Sequence, residues 1–150
     1  MKKRKIVYFS TALLTFTIGL ALFVLPQRTF KVVSRDGAAG PGLGASGKGT
    51  GMAVTTWVSS DGVTVEELTV GYSSKDDAHR DFELEESRAE RIPGQNAASN
   101  SERVVGKYGP SYRPSFKVIT LEEKSLHYVQ GSDLDAVLAF EASWLKSEWW

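Results

Sequence analysis

The stretch that decides the fold is AVTTWVSSDGVTVEELTVGY, residues 53–72. It contains two runs rich in β-branched and aromatic residues, with Asp61 and Gly62 between them. An Asp-Gly pair in this position is typical of a tight hairpin, because both residues tolerate positive φ. The apolar positions of the second run change parity after Val65. A one-residue bulge at Glu66–Glu67 would restore a single apolar face, so we predict a bulged antiparallel hairpin.

Two helices are predicted from capping patterns. Ser74 followed by Asp77 has the spacing of a capping box, and the helix should run to about Ile92, where a Pro-Gly pair ends it. Ser132 and Asp135 have the same spacing, and the apolar pattern after them predicts a last helix that reaches the C-terminus.

Three further strands are predicted between these helices, at residues 103–108, 115–121 and 126–130. The resulting order is ββαβββα. Strands joined by short turns, with two helices, indicate an α+β fold. We predict a two-layer sandwich over residues 52–150, in which both helices pack on one face of an antiparallel sheet of about five strands.

The N-terminus predicts a membrane segment. Ile6–Leu25 carries no charge, and a helix of that length spans about 30 Å, the thickness of the hydrocarbon core. We predict a single-pass anchor at residues 6–26. The basic residues within 1–5 favour the cytoplasmic side, which puts the C-terminal domain outside. No Ala-x-Ala site follows the segment, which favours a retained anchor over cleavage and secretion.

Residues 27–51 are predicted to be a flexible linker, because seven of the fifteen residues from 37 to 51 are glycine. Gly42, Gly47 and Lys48 have the spacing of a phosphate-binding loop. That loop requires Ser or Thr after the lysine, and Gly49 stands there instead. We therefore expect no nucleotide to bind.

Composition limits the chemistry further. Outside the basic tail the chain has 14 Lys and Arg against 18 Asp and Glu, which gives no support for nucleic-acid binding. The chain has no cysteine, so it has no disulfide, zinc-thiolate site or thiol nucleophile. Asp76, His79 and Glu83 could share a helix face, but a charged first turn is normally solvated. We expect no metal site and no cofactor.

Glu85 and Glu141 are the candidates for catalysis. On a helical wheel each falls within the apolar stripe of its helix, so each should point toward the sheet. Buried carboxyl groups can act as acids or bases, which is the functional interpretation. The alternatives are ion pairing, with Arg88 or Arg103 as partner, and a position at the rim of the helix.

The candidates for binding lie in a loop and at the C-terminus. The loop after the third strand combines Tyr108, Tyr112 and Arg113 with two prolines, and aromatic and cationic groups on loops often bind ligands. The alternative is a rigid connector. Trp149 and Trp150 end the chain and could cover the sheet, contact a partner or lie at the bilayer interface.

Three function classes are compatible with these features. We expect a membrane-tethered, extracytoplasmic interaction or accessory domain of the cell envelope with a protein or envelope partner, and we favour a non-enzymatic role over an enzymatic one. The alternatives are a small envelope hydrolase that uses Glu85 and Glu141, and a ligand-binding or sensor domain. A hydrolase requires the two carboxyl groups to converge, a sensor requires a sizeable cavity, and an interaction domain requires an open sheet edge or apolar patch.

Overall fold

The computed structural model describes residues 28–95 and 102–147. Strands and helices follow one another along the chain as β1 (Phe30–Leu43), β2 (Gly49–Ser59), β3 (Thr64–Tyr72), α1 (Lys75–Arg88), β4 (Glu90–Arg91), β5 (Arg103–Tyr108), β6 (Ser115–Glu122), β7 (Ser125–Gly131) and α2 (Leu134–Ser147). The predicted anchor at residues 6–26 lies outside the described residues. Within them, neither helix has the length and apolarity needed to cross a bilayer.

The described strands form one antiparallel sheet in the order β1-β2-β3-β7-β6-β5-β4. The predicted antiparallel sheet with two helices is confirmed, but the sheet has seven strands instead of about five. The two additional strands are β1 and β4, which are the two edges. β4 has only two residues, and β1 arises from sequence that was predicted to be unstructured.

The predicted packing of both helices on one face is wrong. Helix α1 covers one face of the sheet, called here the α1 face, which includes Val70, Ile119 and Tyr128. Helix α2 covers the other, called here the α2 face, which includes Val65 and Val118. Val118 and Ile119 are adjacent in β6 and therefore point to opposite faces. The sheet thus lies between the helices and has an apolar core on both sides.

The same arrangement explains why the predicted bulge is absent. β2 and β3 pair without interruption through Glu66 and Glu67, and their register shifts only at the Gly49 end. Val65 is buried on the α2 face, whereas Val70 is buried on the α1 face. The apolar positions of β3 therefore change parity because α2 covers one face of the strand near Val65, whereas α1 covers the other face near Val70.

The glycine-rich stretch was predicted to be a linker without stable secondary structure, and that prediction is wrong for most of its length. Residues 30–43 form β1, which pairs with β2 from Phe30 opposite Ser59 to Leu43 opposite Gly49. Two register irregularities, at Val32/Ser34 and at Ala39/Leu43, accommodate the sequence. The folded domain therefore begins at about residue 28 instead of residue 52.

The helix starts were predicted more accurately than their ends. Ser74 is the N-cap of α1 and accepts a hydrogen bond from the Asp77 N–H at 3.1 Å, which confirms this cap. α1 ends at Arg88, four residues earlier than predicted, because the chain turns into β4. The cap of α2 is Asp133 and not Ser132: its Oδ1 accepts from the Ala136 N–H at 2.7 Å.

The register defines two ends of the sheet. Phe30 lies opposite Ser59, Val65 lies opposite Gly131, and Tyr108 lies opposite Ser115. These positions share one end, called here the Arg28 end because the described chain starts there. It includes the loops at residues 60–63, 109–114 and 132–133. The far end includes the β1–β2 turn at residues 44–48 and the β6–β7 turn at residues 123–124.

Candidate functional site

The structure does not bring Glu85 and Glu141 together. Both side chains are buried, each with 8% of its surface exposed. Glu85 lies on α1 and Glu141 on α2, so the sheet separates them. Two carboxyl groups that act on one glycosidic bond must converge to within about 10 Å across the substrate. Their placement on opposite faces gives no support to a shared catalytic site.

Glu141 forms an ion pair with Arg103 of β5. The Arg103 Nε donates to Oε1 and the Nη2 donates to Oε2, both at 2.6 Å, so the contact is bidentate. The hydrogen bond to Glu141 is the largest cause that raises the pKa of Arg103 above its ordinary value. Pairing with Arg103 is one of the alternatives that the sequence suggests for Glu141, and the structure contains it. It ties α2 to the sheet, which is a structural role.

Glu85 has a different environment on the α1 face. Its backbone carbonyl accepts a hydrogen bond from the Tyr108 hydroxyl at 3.1 Å. In the described part of the chain, no hydrogen bond reaches its carboxylate, and its proposed partner Arg88 is exposed. Tyr108 in turn lies beneath Lys117, whose Nζ is 4.7 Å from the ring centroid. Tyr108 is thus half-buried and connects β5 to α1.

The most completely bonded buried acid is Asp81, which is not among the candidate residues predicted from the sequence. Asp81 lies on α1 with no exposed surface. Its carboxylate accepts from the Ala45 N–H at 3.0 Å, from the Ser46 N–H at 2.5 Å and from the Tyr72 hydroxyl. Burial is the main cause that raises the pKa of Tyr72 well above its ordinary value, and the hydrogen bond to Asp81 adds to it.

The turn at residues 44–48 fits around Asp81 because of its glycines. Gly44 has φ of +76°, and a Cβ there would meet the Asp81 carboxylate and would lie 2.6 Å from the Tyr72 hydroxyl. The stretch that resembles a phosphate loop thus directs two backbone N–H groups at an anion, but the anion is the protein's own. The signal in the sequence was the helical spacing of Asp81 between Ala78 and Glu85, which places all three on one face.

A second polar group lies on the α2 face around His127. The Thr69 hydroxyl is 3.0 Å from Nδ1, and Glu122 is 3.2 Å from Nε2, so both ring nitrogens have partners. The His127 ring also stacks at a tilt on Trp144, with centroids 5.4 Å apart. The cleft between them and Glu141 has a volume of only about 10 Å³, which is space for one water molecule.

The predicted binding residues are separated. Tyr108 is half-buried beneath Lys117, whereas Tyr112 is 88% exposed and Arg113 is exposed. The loop that carries Tyr112 is a turn closed by the Arg113 N–H, which donates to the Pro110 carbonyl at 2.9 Å. Trp149 and Trp150 lie outside the described residues. Among residues 28–95 and 102–147, no group of three acidic or histidine side chains is arranged to hold a metal ion.

The longest unpaired edge in the described sheet belongs to β1. It has 14 residues and pairs with β2 along one edge, while no described strand pairs with its other edge. Val33 is 64% exposed and Val32 is 40% exposed at its start. Lys31, Pro41 and the irregularity beside Val33 limit indiscriminate pairing, since charges, prolines and bulges blunt a sheet edge.

Comparison with protein-family models, curated proteins and solved structures finds no match to the chain.

Proposed function

We propose that this chain is a membrane-tethered interaction domain of the cell envelope, with residues 6–26 as a single-pass anchor and the folded domain outside. The observation that carries the proposal is the open edge of β1. An exposed strand edge can accept an extended segment of a partner as an additional strand, since backbone N–H and C=O groups are available there. The exposed Val33 and Val32 would add apolar contacts beside such a strand.

The alternative functions receive less support. A hydrolase that uses both candidate glutamates would need them on one side of the sheet, and they lie on different sides. A sensor would need a cavity of several hundred cubic ångströms for its ligand. The cleft under α2, with a volume of about 10 Å³, has room for about one water. The larger depressions in the described residues, of about 560 and 600 Å³, are open surface features.

The anchoring part of the proposal is tested by fractionation. The expected result is a protein of the full 16.4 kDa that remains in membranes after a carbonate wash. A protease added from outside should degrade the folded domain and leave the first residues protected. Recovery of a soluble, shortened form that begins after the apolar segment would instead indicate a cleaved signal and a secreted domain.

A further inference from the structure

Strand β1 is exposed on both of its faces as well as along its open edge. Every residue from 31 to 39 is exposed. The strand has 14 residues, whereas an average strand has about 5–6. Sheets usually keep an open edge short or cover it, because unpaired N–H and C=O groups attract other strands. The length and exposure of β1 therefore indicate that a partner strand lies beside it.

The charges of β1 carry information about that partner. Lys31, Arg35 and Asp36 lie on the exposed part of the strand, and none of them takes part in an ion pair within the described part of the chain. Lys31 and Asp36 are five residues apart. In a regular strand such residues point to opposite faces, since side chains alternate.

Lys31 and Asp36 nevertheless share a face of the sheet. Lys31 lies opposite Val58 and Asp36 lies opposite Val54, and β2 is regular between these two valines. Residues four apart on a regular strand point to the same face. The cause is the irregularity at Val33, where the register of β1 against β2 shifts by one residue. The two charges thus flank the irregularity on the same face.

This arrangement makes β1 complementary to a second β1. Two identical antiparallel strands are related by a two-fold axis, so each contact between them occurs twice. With the axis beside Ser34, Lys31 of each copy lies opposite Asp36 of the other, and Val32 lies opposite Arg35. Directly opposite side chains of unlike charge stabilise a strand pair. A shift of two residues, the smallest that keeps the faces matched, removes these contacts.

We propose that β1 is a homodimer interface, in which the open edge pairs antiparallel with β1 of a second copy of this chain. This inference rests on the proposed function, because it names the occupant of the same edge. Backbone hydrogen bonds join the two strands, and the ion pairs of Lys31 with Asp36 select the register. The two seven-stranded sheets then form one continuous sheet.

Membrane anchoring is compatible with this pairing and favours it. The two-fold axis of the strand pair is perpendicular to the sheet, and the axis of a symmetric dimer in one membrane lies along the membrane normal. The shared sheet therefore lies along the bilayer, with the two Arg28 residues about 33 Å apart. Two copies held in one membrane meet at a high effective concentration, so a modest affinity is sufficient.

Charge reversal in the full chain, in detergent micelles, tests the interface. Lys31→Asp places like charges opposite each other at both contacts, and so does Asp36→Lys. Each variant should raise the dissociation constant of the dimer about tenfold or more, because two attractive contacts become repulsive. An equimolar mixture of the two variants should dimerise about as tightly as the parent, since unlike charges face each other again. Sedimentation equilibrium measures the dissociation constants.

Lys48→Asp is the matched control for Lys31→Asp. Lys48 is exposed in the β1–β2 turn at the far end, outside the paired segment, so the same change of charge should leave the dissociation constant unchanged. Single cysteines test the register, because the chain has no cysteine of its own. Ser34→Cys lies beside the axis and should form a disulfide with its own copy. Ala38→Cys should not, because its copy lies about 26 Å away.

A parent chain that stays monomeric would overturn the inference, and so would a dimer that neither charge reversal weakens or that crosslinks equally at positions 34 and 38. Hydrogen exchange of residues 31–39 in the monomer distinguishes this failure from that of the proposed function. Fast exchange of the outward amides would show an open edge that accepts a different partner. Slow exchange would show that the chain covers its own edge, and the interaction domain would lose its observation.

Discussion

Glu85 and Glu141 are equally buried at 8% exposure, yet their partners differ. Glu141 has both carboxylate oxygens bonded to Arg103, whereas the Glu85 carboxylate accepts no hydrogen bond within residues 28–95 and 102–147. Replacement of a bonded buried carboxylate leaves its cation unpaired, which is costly, whereas an unbonded one loses little. Burial alone therefore does not predict how each position responds to substitution.

Glu141→Gln should lower the free energy of unfolding by about 2–4 kcal/mol, because Arg103 loses its charged partner in a poorly solvated site. Glu85→Gln, at the same exposure, should change it by less than about 0.5 kcal/mol. Denaturant melts of both variants measure the difference. The double variant Arg103→Met/Glu141→Leu should recover most of the loss, since an apolar pair can replace an ion pair. Equal melts for the two Gln variants would show that the ion pair does not stabilise the fold.

At the scale of elements, strands and helices with a strong apolar pattern were predictable, and β1 was not. β2, β3, β5, β6 and β7 contain enough β-branched and aromatic residues to be recognised. β1 has three glycines and a proline, and most of its residues are exposed. Its pairing with β2 stabilises it, and such long-range pairing leaves no periodic signal in the strand's own sequence.

The apolar pattern of the sequence also did not lead us to predict that the two helices cover opposite faces of the sheet. A parity change in β3 is compatible with a bulge, which we predict from the sequence, or with burial on two faces, which the structure shows. Val65 and Val70 are the apolar residues toward the two ends of the strand. They distinguish a bulge from burial on two faces only once the positions of both helices are known. Asp81 was missed for a related reason: its partners are backbone N–H groups of a turn that the sequence presented as a linker.

The contact between the β1–β2 turn and α1 yields the next prediction. Asp81→Asn keeps the shape of the side chain but replaces an acceptor oxygen with a donor, so a backbone N–H of Ala45 or Ser46 loses its partner. We expect a loss of about 2–4 kcal/mol in the free energy of unfolding, because the group is fully buried and bonded three times. Amide hydrogen exchange should become faster in the turn and in the adjoining part of β1.

Ser46→Ala is the matched control for Asp81→Asn. The Ser46 hydroxyl oxygen is buried and has no hydrogen-bond partner among the described residues. Its removal should therefore leave stability unchanged or slightly increased, while the Ser46 N–H still donates to Asp81. Slow exchange in the turn of Asp81→Asn, at the rate of the parent, would show that the carboxylate does not hold the hairpin in place.

At the scale of the whole molecule, the sheet separates two polar systems. The α2 face contains the ion pair of Arg103 with Glu141 and the bonded His127. The α1 face contains Asp81 with the buried tyrosines Tyr72 and Tyr128, which are 5% and 3% exposed. Burial is the first cause that raises the pKa of both tyrosines well above the ordinary value near 10, and nearby carboxylates raise it further.

These raised pKa values predict that the protein loses stability in alkali. Above pH 10 the unfolded chain releases the phenolic protons of Tyr72 and Tyr128, whereas the folded protein keeps them, so the unfolded state is favoured. Their contribution is fully present below pH 10 and is lost as pH rises toward the folded-state values, with a slope of ~2–3 kcal/mol per pH unit for the two groups.

Denaturant melts between pH 8 and pH 11.5 measure this slope. Tyr128→Phe should lower the measured slope by about 1.4 kcal/mol per pH unit, because one titrating group is gone. Tyr72 and the half-buried Tyr108, whose pKa is also raised by burial, keep their contributions. Tyr112→Phe should leave the slope unchanged, because Tyr112 is 88% exposed and lies outside the buried core of the α1 face. If Tyr128→Phe retained the full slope, the buried tyrosines of the α1 face could not be its source.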